Sequence, residues 1–494
     1  MSAAGPPQCA NRAPSGGSEA AKLRAWGDHT SGDLTDRRPA ERLSTDVLVV
    51  GGGAAGVAAA VTAARQGVAV TLIERYGFCG GGAVAGMSGT ICGMYMASES
   101  PDASPRRLVH GFAAEFATRM RAAGGLTPPV RYGRTWSLVH DPFKWRSVAD
   151  GLLAEARVRV VFHALATDVL VEGGERLAGI QAHAKQGKIA IEAAVTIDAS
   201  GDADVAAMAG FGTTVGQNGV VQNPTMIFRL QGVDVPRFLA AHGNDAIMGD
   251  AVSRKIVEVN GAGTYRLPRA KVFLFVTPRP GELLCNCTRI VGADGRELNS
   301  LCHRDFTEAE IEGRRQVLEY ARFFRDHLAG CERSFVNDTG VQVGVRQSRQ
   351  IDGVRTLAND DVVSGRKCST GIARSAWPIE LHAGARPRLA WLCDDYYEIP
   401  YECFVPREGD SLLVAGRCLS AEHEAMASAR VTAQCFAYGH AIGHAAVLAM
   451  RERIAPRDID AKSLRVLLNR DGAGLDDEPR VEALDTAARA ALPA

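Results

Sequence analysis

The most regular pattern of apolar positions along the chain lies between Asp46 and Glu74. Residues 47–50 are all Val or Leu, which is typical of a buried strand. A Gly-rich turn follows, then an Ala-rich segment with helical spacing, then a second apolar run that ends at Glu74. The pattern therefore predicts a strand–helix–strand unit, and such units build parallel sheets.

The residues of this turn have the spacing that dinucleotide binding requires. Gly51 permits a tight turn, Gly53 lets the backbone approach a pyrophosphate, and Gly56 lets the helix pack closely on the strand. The helix N-terminus then faces the phosphates. Glu74 lies 23 residues after Gly51, where a carboxylate accepts hydrogen bonds from ribose hydroxyls. We therefore expect this unit to bind a dinucleotide.

Three later segments indicate that the dinucleotide is a flavin. A glycine-rich turn at residues 77–82 lets several backbone amides approach a ligand. Strands at residues 195–202 and 411–417 both stop at small residues, as needed where backbone passes a flat ligand. A long Ala-rich helix over about residues 424–450 would direct its N-terminus at the flavin and stabilise the negative charge of the reduced ring. An enzyme that binds only NAD needs the first unit alone, so the expected cofactor is FAD.

The rest of the pattern predicts an α/β chain with a Rossmann-like FAD-binding domain and an inserted α+β substrate or cap domain. A helix is expected at residues 142–156, and another at 308–328, started by a capping box of Thr307 and Glu310. The expected units are a disordered N-terminal arm (1–44), the FAD-binding domain in two parts (45–215 and 341–455), the inserted domain (216–340) and a C-terminal helical tail (456–494).

Composition narrows the class of protein. The 494 residues carry a formal net charge of zero, so nothing indicates nucleic acid as a partner. The twelve cysteines are irregularly spaced, which favours reduced thiols and a cytoplasmic location. The apolar run at residues 47–64 is interpreted as a buried strand and helix, so no membrane span is expected. Arg37 and Arg38 hint at a twin-arginine signal, but Pro39 and further charges follow.

Several motifs occur in the order found in one flavoprotein superfamily: ERYGF (74–78), IDASGD (197–202), VGVRQSRQIDG (343–353), IELH (379–382), IPY (399–401) and VAGR (414–417). Over about residues 45–470 the chain resembles FAD-dependent oxidoreductases of the glutathione-reductase-like superfamily. The branch is the one related to the fumarate reductase flavoprotein and the flavin subunit of heterodisulfide reductase. The resemblance implies a glutathione-reductase type of FAD-binding domain, non-covalent FAD and redox chemistry, but no particular substrate.

The motifs and the resemblance together give the expected cofactor contacts: Gly51, Gly53, Ala54, Ala55, Gly56, Glu74, Arg75, Gly80, Gly81, Gly82, Ala166, Ala199, Gly201, Asp202, Gly416 and Arg417. One position departs from the pattern. Many relatives carry an acid just after the glycine of the last strand, whereas this chain has Arg417 and Cys418. Arg417 could pair with phosphate instead.

Flavin chemistry moves a hydride between N5 and a substrate carbon, and the protein must handle one proton. His382 follows a strand-like segment, and His423 stands just before the final helix. Either is a candidate acid or base, and either is equally compatible with a structural role.

Arginines are the other catalytic candidates. Arg346 and Arg349 could clamp a substrate carboxylate or stabilise an anionic reduced flavin. The alternative is structural ion pairs with the nearby acids Asp352, Asp360 and Asp361. Arg430 stands in an otherwise small and apolar helix, and it too is a candidate for catalysis or for structure.

No thiol or metal centre is expected. In disulfide reductases a cysteine pair follows the Gly-Gly turn, but the matching positions here are Val84 and Gly89. Cys285 and Cys287 share one face of a strand, which indicates that both side chains lie in the hydrophobic core. Neither an iron–sulfur motif nor a His–carboxylate spacing for a metal is visible.

The leading hypothesis is therefore an FAD-dependent dehydrogenase, oxidase or reductase acting on a small organic molecule. The alternatives are a flavin monooxygenase and a non-catalytic flavoprotein that transfers electrons or responds to redox state. No second nucleotide motif is evident, which leaves oxygen, a quinone or a partner protein as the electron acceptor. The sequence leaves the oligomeric state open, a homo-oligomer included.

Overall fold

The computed structural model of the protein describes residues 41–173, 176–382 and 387–482. Most of the predicted N-terminal arm, residues 1–40, and the end of the predicted helical tail, residues 483–494, lie outside the described residues.

The described residues form strands and helices throughout. The strands are β1 (Glu41–Val50), β2 (Val70–Glu74), β3 (Thr90–Ile91), β4 (Arg106–Arg107), β5 (Val130–Tyr132), β6 (Thr135–Val139), β7 (Arg159–Phe162), β8 (Leu165–Glu172), β9 (Arg176–Ala184), β10 (Gly187–Asp198), β11 (Thr213–Val215), β12 (Phe228–Gln231), β13 (Phe273–Val276), β14 (Glu282–Asn286), β15 (Phe335–Thr339), β16 (Arg349–Ile351), β17 (Gly371–Ser375), β18 (Ile379–Leu381), β19 (Arg388–Ala390), β20 (Tyr397–Pro400), β21 (Leu412–Val414) and β22 (Arg480–Val481). The α-helices are α1 (Ala54–Arg65), α2 (Gly81–Val84), α3 (Phe112–Ala122), α4 (Pro142–Glu155), α5 (Asp204–Met208), α6 (Val235–His242), α7 (Asp250–Gly261), α8 (His303–His327), α9 (Asn359–Val363), α10 (His423–Ala429), α11 (Thr432–Glu452) and α12 (Ala461–Arg470).

A parallel sheet organises the larger part of the molecule. Its strands run in the order β7-β2-β1-β10-β21, and every neighbouring pair is parallel. The first half of β10 also pairs antiparallel with β9, which continues to β8. Strands β1, β2, β10 and β21 end at Val50, Glu74, Asp198 and Val414, so their carboxyl ends meet at one edge of the sheet. Ligands of open α/β sheets bind at this edge.

The helix α1 packs between this sheet and the long helix α11. Gly439 and Gly443 on α11 make the close approach possible, because a Cβ at either position would lie 2.0 Å from Ala55 O or 2.6 Å from Ala59 O.

A second, antiparallel sheet has the order β13-β14-β12-β15. Its apolar face and the helix α8 share a separate core that includes Phe228, Leu283, Tyr320 and Phe324. The residues of this core fall between 226 and 343, within and just past the predicted inserted domain. A third, smaller core combines residues from both parts of the chain and includes Tyr132, Phe273 and Trp377.

Three predicted boundaries are wrong. Strand β1 begins at Glu41, so residues 41–44 belong to the sheet and not to a disordered arm. Helix α8 begins at His303 with Cys302 as its N-cap residue, and the Thr307 hydroxyl donates to the His303 carbonyl within the helix instead of capping it. The helix expected at 424–450 is two helices, α10 and α11.

A contact with a distant segment accompanies the break between α10 and α11. Val431 is extended, and the Arg430 guanidinium donates to the carbonyl of Arg346, 2.7 Å away. The Tyr438 hydroxyl donates to the Ala429 carbonyl at the end of α10. Periodicity does not detect such a break, because the side chains on both sides of it remain small and apolar. In the described part of the chain, no helix combines the length and hydropathy that crossing a bilayer would require.

Candidate active site and cofactor cleft

A single large cleft opens at the carboxyl edge of the parallel sheet. Its empty volume is about 1550 Å³, including the space at its mouth. It is lined by these predicted site residues: Gly51, Gly53, Ala54, Ala55, Glu74, Arg75, Gly80, Gly81, Gly82, Ala199, Gly201, Asp202, Arg346, His382, Gly416, Arg417 and Arg430.

The glycines of the first turn differ in what surrounds them. Gly51 has φ +105°, and a Cβ there would lie 2.4 Å from Ala199 O, so the protein itself requires glycine. Gly53 has an ordinary φ of −68°, and a Cβ there would meet nothing nearer than Gly81 Cα at 3.9 Å. The open side of Gly53 therefore faces the cleft, where a ligand can approach the backbone.

The first turn of α1 and the carboxylate of Glu74 complete this end of the cleft. No side chain caps α1, so its first N–H groups are available to a ligand phosphate. Glu74 Oε2 accepts from Gly52 N at 2.7 Å, and Oε1 accepts from Tyr76 N at 2.9 Å. These bonds fix the carboxylate while its remaining lone pairs stay free for ribose hydroxyls. Burial raises the pKa of Glu74, and the two backbone N–H groups oppose that rise.

Arg417 on the cleft wall contacts Asp202 and Ser348. Its Nη1 and Nη2 atoms each lie 3.2 Å from Asp202 Oδ1, and Nη1 also donates to Ser348 Oγ at 2.9 Å. Asp202 and Arg417 thus form an ion pair on the cleft wall, which offsets the charge that Arg417 would bring to a phosphate.

Four predicted site residues do not line the cleft: Gly56, Ala166, His423 and Arg349. Gly56 lies behind it, where a Cβ would come within 1.9 Å of Gly51 O, so its role is in packing. Ala166 is on β8, paired with Ala182 in the antiparallel part of the sheet. The carbonyl of His423 accepts from Gln222 Nε2 at 3.3 Å, and its Nδ1 atom is buried without a hydrogen-bond partner among the described residues.

At the far end of the cleft, His382 contacts an ionised carboxylate. Its Nε2 atom lies 3.0 Å from Glu380 Oε1, and the Tyr132 hydroxyl donates to the same oxygen at 3.0 Å. Burial would raise the pKa of Glu380, but His382, Arg269 and Arg430 outweigh it and lower the pKa to about 2.

His382 itself is neutral at ordinary pH. Burial and the nearby charge of Arg346 lower its pKa well below the usual value, although Glu380 opposes this. In neutral imidazole one nitrogen carries the proton and the other a lone pair. Because Nε2 faces the carboxylate, Nε2 is the protonated atom and Nδ1 carries the lone pair.

The predicted arginines have other partners than the acids we considered. Arg346 donates from Nη1 to Asn223 O at 2.7 Å and from Nη2 to Asn286 Oδ1 at 3.3 Å. Arg349 pairs with Asp204 at 2.7 Å, outside the cleft lining. Asp352 and Asp361 instead pair with arginines elsewhere: Arg407, Arg355 and Arg366.

Sequence reasoning missed Glu380, Tyr132, Asn286 and Arg269. Glu380 stands two residues before His382 on a strand end, so alternation alone could have placed both side chains on one face. The other three come from segments more than 90 residues away from Glu380, and no local pattern links them.

A second group of polar residues lies away from the cleft. His440 and His444 are one helical turn apart on α11, and their Nε2 atoms lie 2.7 and 2.8 Å from Asp471 Oδ2. These are hydrogen-bond distances, and they join α11 to the end of α12. The same three atoms could reach a metal ion, although the sequence spacing did not suggest one.

The cleft fits FAD by several independent features: the open face at Gly53, the uncapped α1, the buried Glu74 carboxylate and a second uncapped helix, α11, whose first residue Thr432 lines the cleft. A sequence profile described as "FAD dependent oxidoreductase" matches residues 46–468.

Solved structures give distant likenesses. A geranylgeranyl bacteriochlorophyll reductase-like protein from Thermoplasma acidophilum is 14% identical, with 90% of this chain and 95% of that chain covered and a TM-score of 0.45. The p-nitrophenol 4-monooxygenase PnpA from Pseudomonas putida DLL-E4 is 12% identical, with 91% of this chain and 92% of that chain covered and a TM-score of 0.46. The flavin-dependent brominase Bmp2 is 13% identical, with 86% of this chain and 83% of that chain covered and a TM-score of 0.44. No significant match is found among curated proteins.

Proposed function

Because the chain belongs to the family of FAD-dependent oxidoreductases, we propose that it transfers a hydride between a small organic substrate and N5 of FAD. The observation that carries the proposal is the continuity of the cleft. One space is lined by the dinucleotide turn at one end and by His382, Arg346 and Arg430 at the other. A substrate at that second end would lie beside the flavin.

Each residue of the nucleotide end has a proposed role toward FAD. The backbone at Gly53, Ala54 and Ala55 and the start of α1 would hold the pyrophosphate, and Glu74 the adenosine ribose. Gly80, Gly81 and Gly82 would let their amides approach the cofactor. The flavin supplies the two-electron redox chemistry. The glutathione-reductase type of this domain and its division into two sequence segments remain predictions.

The residues of the far end would position substrate and handle the proton. In substrate oxidation, bound FAD would supply the two-electron acceptor for the hydride of the substrate C–H bond, and His382 Nδ1 would accept the one proton that the substrate also loses. Glu380 would hold the His382 ring through Nε2 and stabilise the imidazolium that forms. The Tyr132 hydroxyl fixes the carboxylate in turn. His423 is the weaker candidate because it does not line the cleft.

The test is anaerobic mixing of the purified yellow protein with a panel of small metabolites while flavin absorbance is recorded. Bleaching by a substrate, with two electrons gained per flavin, supports hydride transfer. Bleaching only by NAD(P)H, followed by oxygen uptake and a hydroxylated product, would instead establish a monooxygenase. To identify the electron acceptor, the reduced protein is then mixed with oxygen, a quinone or cell extract, and the return of the oxidised flavin absorbance is recorded.

A further inference from the structure

The far end of the cleft carries more buried positive charge than its own residues neutralise. Arg269 is 2% exposed and Arg346 is 8% exposed, and Arg430 lies beside them. Among the described residues that line this end of the cleft, Glu380 is the one carboxylate, since Glu74 and Asp202 belong to the nucleotide end. Three guanidinium groups therefore face a single negative charge.

The hydrogen bonds of these arginines go to neutral acceptors. Asn286 Oδ1 accepts from Arg269 Nη1 at 3.2 Å and from Arg346 Nη2 at 3.3 Å, so one amide oxygen bridges the two guanidinium groups. Arg430 donates to main-chain carbonyls. The Nε and Nη2 atoms of Arg269 are buried without a hydrogen-bond partner among the described residues. A buried charge left without a partner is costly, so an arrangement of this kind favours an anionic ligand.

The surroundings indicate where such a ligand would lie. Arg346 and His382 line both the main cleft and a small second cavity, whose wall also includes Arg269. The Arg269 guanidinium lies over the ring of Phe273, with its Cζ atom 4.3 Å from the ring centroid. Tyr132 stacks on Trp377, with ring centroids 5.2 Å apart. Charged groups and a flat apolar wall thus occupy the same end of the cleft.

We propose that the substrate is a small organic carboxylate, whose anionic group binds Arg346 at the cleft wall, next to the buried charge of Arg269, while its carbon skeleton lies against the aromatic wall. This inference rests on the proposed oxidoreductase function and adds the substrate class to it. The planar guanidinium fork matches a carboxylate with two parallel hydrogen bonds.

The test measures binding and does not depend on turnover. Holoprotein is titrated with acetate, succinate and benzoate, with the matched amides acetamide, succinamide and benzamide, and with inorganic phosphate. The readouts are the perturbation of the oxidised flavin spectrum and the thermal midpoint. At least one carboxylate is expected to give a saturable change, and its amide is expected to bind at least about 30-fold more weakly.

Variants locate the binding site. Arg346→Gln is expected to weaken carboxylate binding by at least about 30-fold, because it removes a charge-assisted hydrogen bond. Arg269→Gln is expected to weaken it by a smaller factor, because it removes only a neighbouring positive charge. Arg346→Lys keeps the charge but loses the fork, and should lie between wild type and Arg346→Gln. The control is Arg366→Gln, which removes an exposed arginine paired with Asp361, and should bind carboxylate as wild type does. If the glutamine variants do not fold, the carboxylate affinities of wild type and Arg346→Lys are compared instead.

Several outcomes would overturn the carboxylate assignment: equal binding of acids and amides, phosphate binding tighter than every carboxylate, or unchanged affinity in the folded arginine variants. Variants that shift only the flavin reduction potential would assign the arginines to the reduced cofactor instead. If the protein binds FAD and a neutral substrate bleaches the flavin, the assignment of a carboxylate substrate is refuted and the oxidoreductase proposal still holds. A protein that holds no FAD would refute both.

Discussion

Gly53 offers the cleanest separation between folding and cofactor binding at the scale of a single residue. Since a Cβ at Gly53 would meet no protein atom closer than 3.9 Å, Gly53→Val should fold normally. Its side chain would occupy the space of the pyrophosphate, so we expect FAD affinity to fall about tenfold or more. The measurements are FAD content after denaturation and the circular dichroism spectrum.

Gly249 supplies a matched control for this change. It too is the N-cap residue of a helix, with φ −61°, and a Cβ there would meet nothing within 4 Å, but it is exposed and does not line the cleft. Gly249→Val should keep its FAD. Full FAD occupancy in Gly53→Val would mean that this turn does not hold the pyrophosphate.

His382 is the residue for which proton transfer can be tested directly. If its Nδ1 atom accepts the substrate proton, His382→Gln should slow flavin reduction by about 10²–10⁴-fold with FAD still bound. His423→Gln should change the rate by less than about tenfold, because His423 does not line the cleft. Stopped-flow flavin reduction measures both. Equal rates for His382→Gln and wild type would transfer the catalytic role to Arg346 and Arg430.

The two ends of the cleft differ in how far residue patterns predict them. The nucleotide end follows from one continuous segment, because turn, helix and acid have fixed spacing, and Gly51, Gly53 and Glu74 all line the cleft as expected. The substrate end is assembled from distant strands. Its histidine and two of its arginines could be guessed by residue type, whereas Arg269 and Asn286 could not. Ala166 was guessed without a spacing argument and lies elsewhere.

The contact between α1 and α11 is decisive at the scale of elements. Gly439→Ala would place a methyl group 2.0 Å from the Ala55 carbonyl oxygen in the first turn of α1. We expect a loss of about 1–3 kcal/mol in the free energy of unfolding, together with weaker FAD binding, because the start of α1 must shift. Thermal denaturation and FAD titration measure the two effects.

Gly151 in α4 is the control, since a Cβ there meets nothing within 4 Å. The same substitution, Gly151→Ala, should stabilise the protein by about 0.4–1 kcal/mol, because alanine restricts the unfolded chain and suits a helix. Opposite signs for the two variants are therefore expected. Equal effects would show that Gly439 is not a packing residue.

Elements with strong apolar periodicity were predicted more reliably than their ends. Helix α4 was expected at 142–156 and is found at Pro142–Glu155, where Asp141 caps its first turn through bonds to Phe143 N and Lys144 N. Helix α8 begins earlier than its apolar pattern, since its first turn buries few side chains. The break before α11 depends on Arg430 reaching the carbonyl of Arg346, a contact between segments 84 residues apart.

At the scale of the whole molecule, buried polar groups join the antiparallel sheet to the larger part of the chain. Arg229 on β12 is fully buried, pairs with Glu282 and donates from Nη2 to the carbonyl of His140 at 2.9 Å. The His140 ring packs on Trp145, and neither of its nitrogens has a hydrogen-bond partner among the described residues. The larger part of the chain and the antiparallel sheet therefore meet at a neutral, buried histidine.

This histidine should make the stability of the protein fall in mild acid. Burial, aided by the charge of Arg229, lowers the pKa of His140 to about 3, whereas an unfolded histidine has a pKa of about 6.5. The unfolded chain therefore binds the extra proton, and the stabilisation from neutral His140 is complete above about pH 6.5 and declines by about 1.4 kcal/mol per pH unit as pH falls toward 3.

Replacing the imidazole of His140 with a ring that cannot be protonated should remove this part of the pH dependence of stability. His140→Phe keeps an aromatic ring against Trp145 and has no group to protonate, so its loss of stability between pH 7 and pH 5 should be smaller than that of wild type by about 2 kcal/mol. Scanning calorimetry at several pH values measures this, with His303→Gln at an exposed position of α8 as the control. The carboxyl of Glu380, whose pKa of about 2 is also lowered, loses its contribution only in more acid solution, below about pH 4.5. A variant that declines between pH 7 and pH 5 as steeply as wild type would show that His140 does not set the acid stability of this interface.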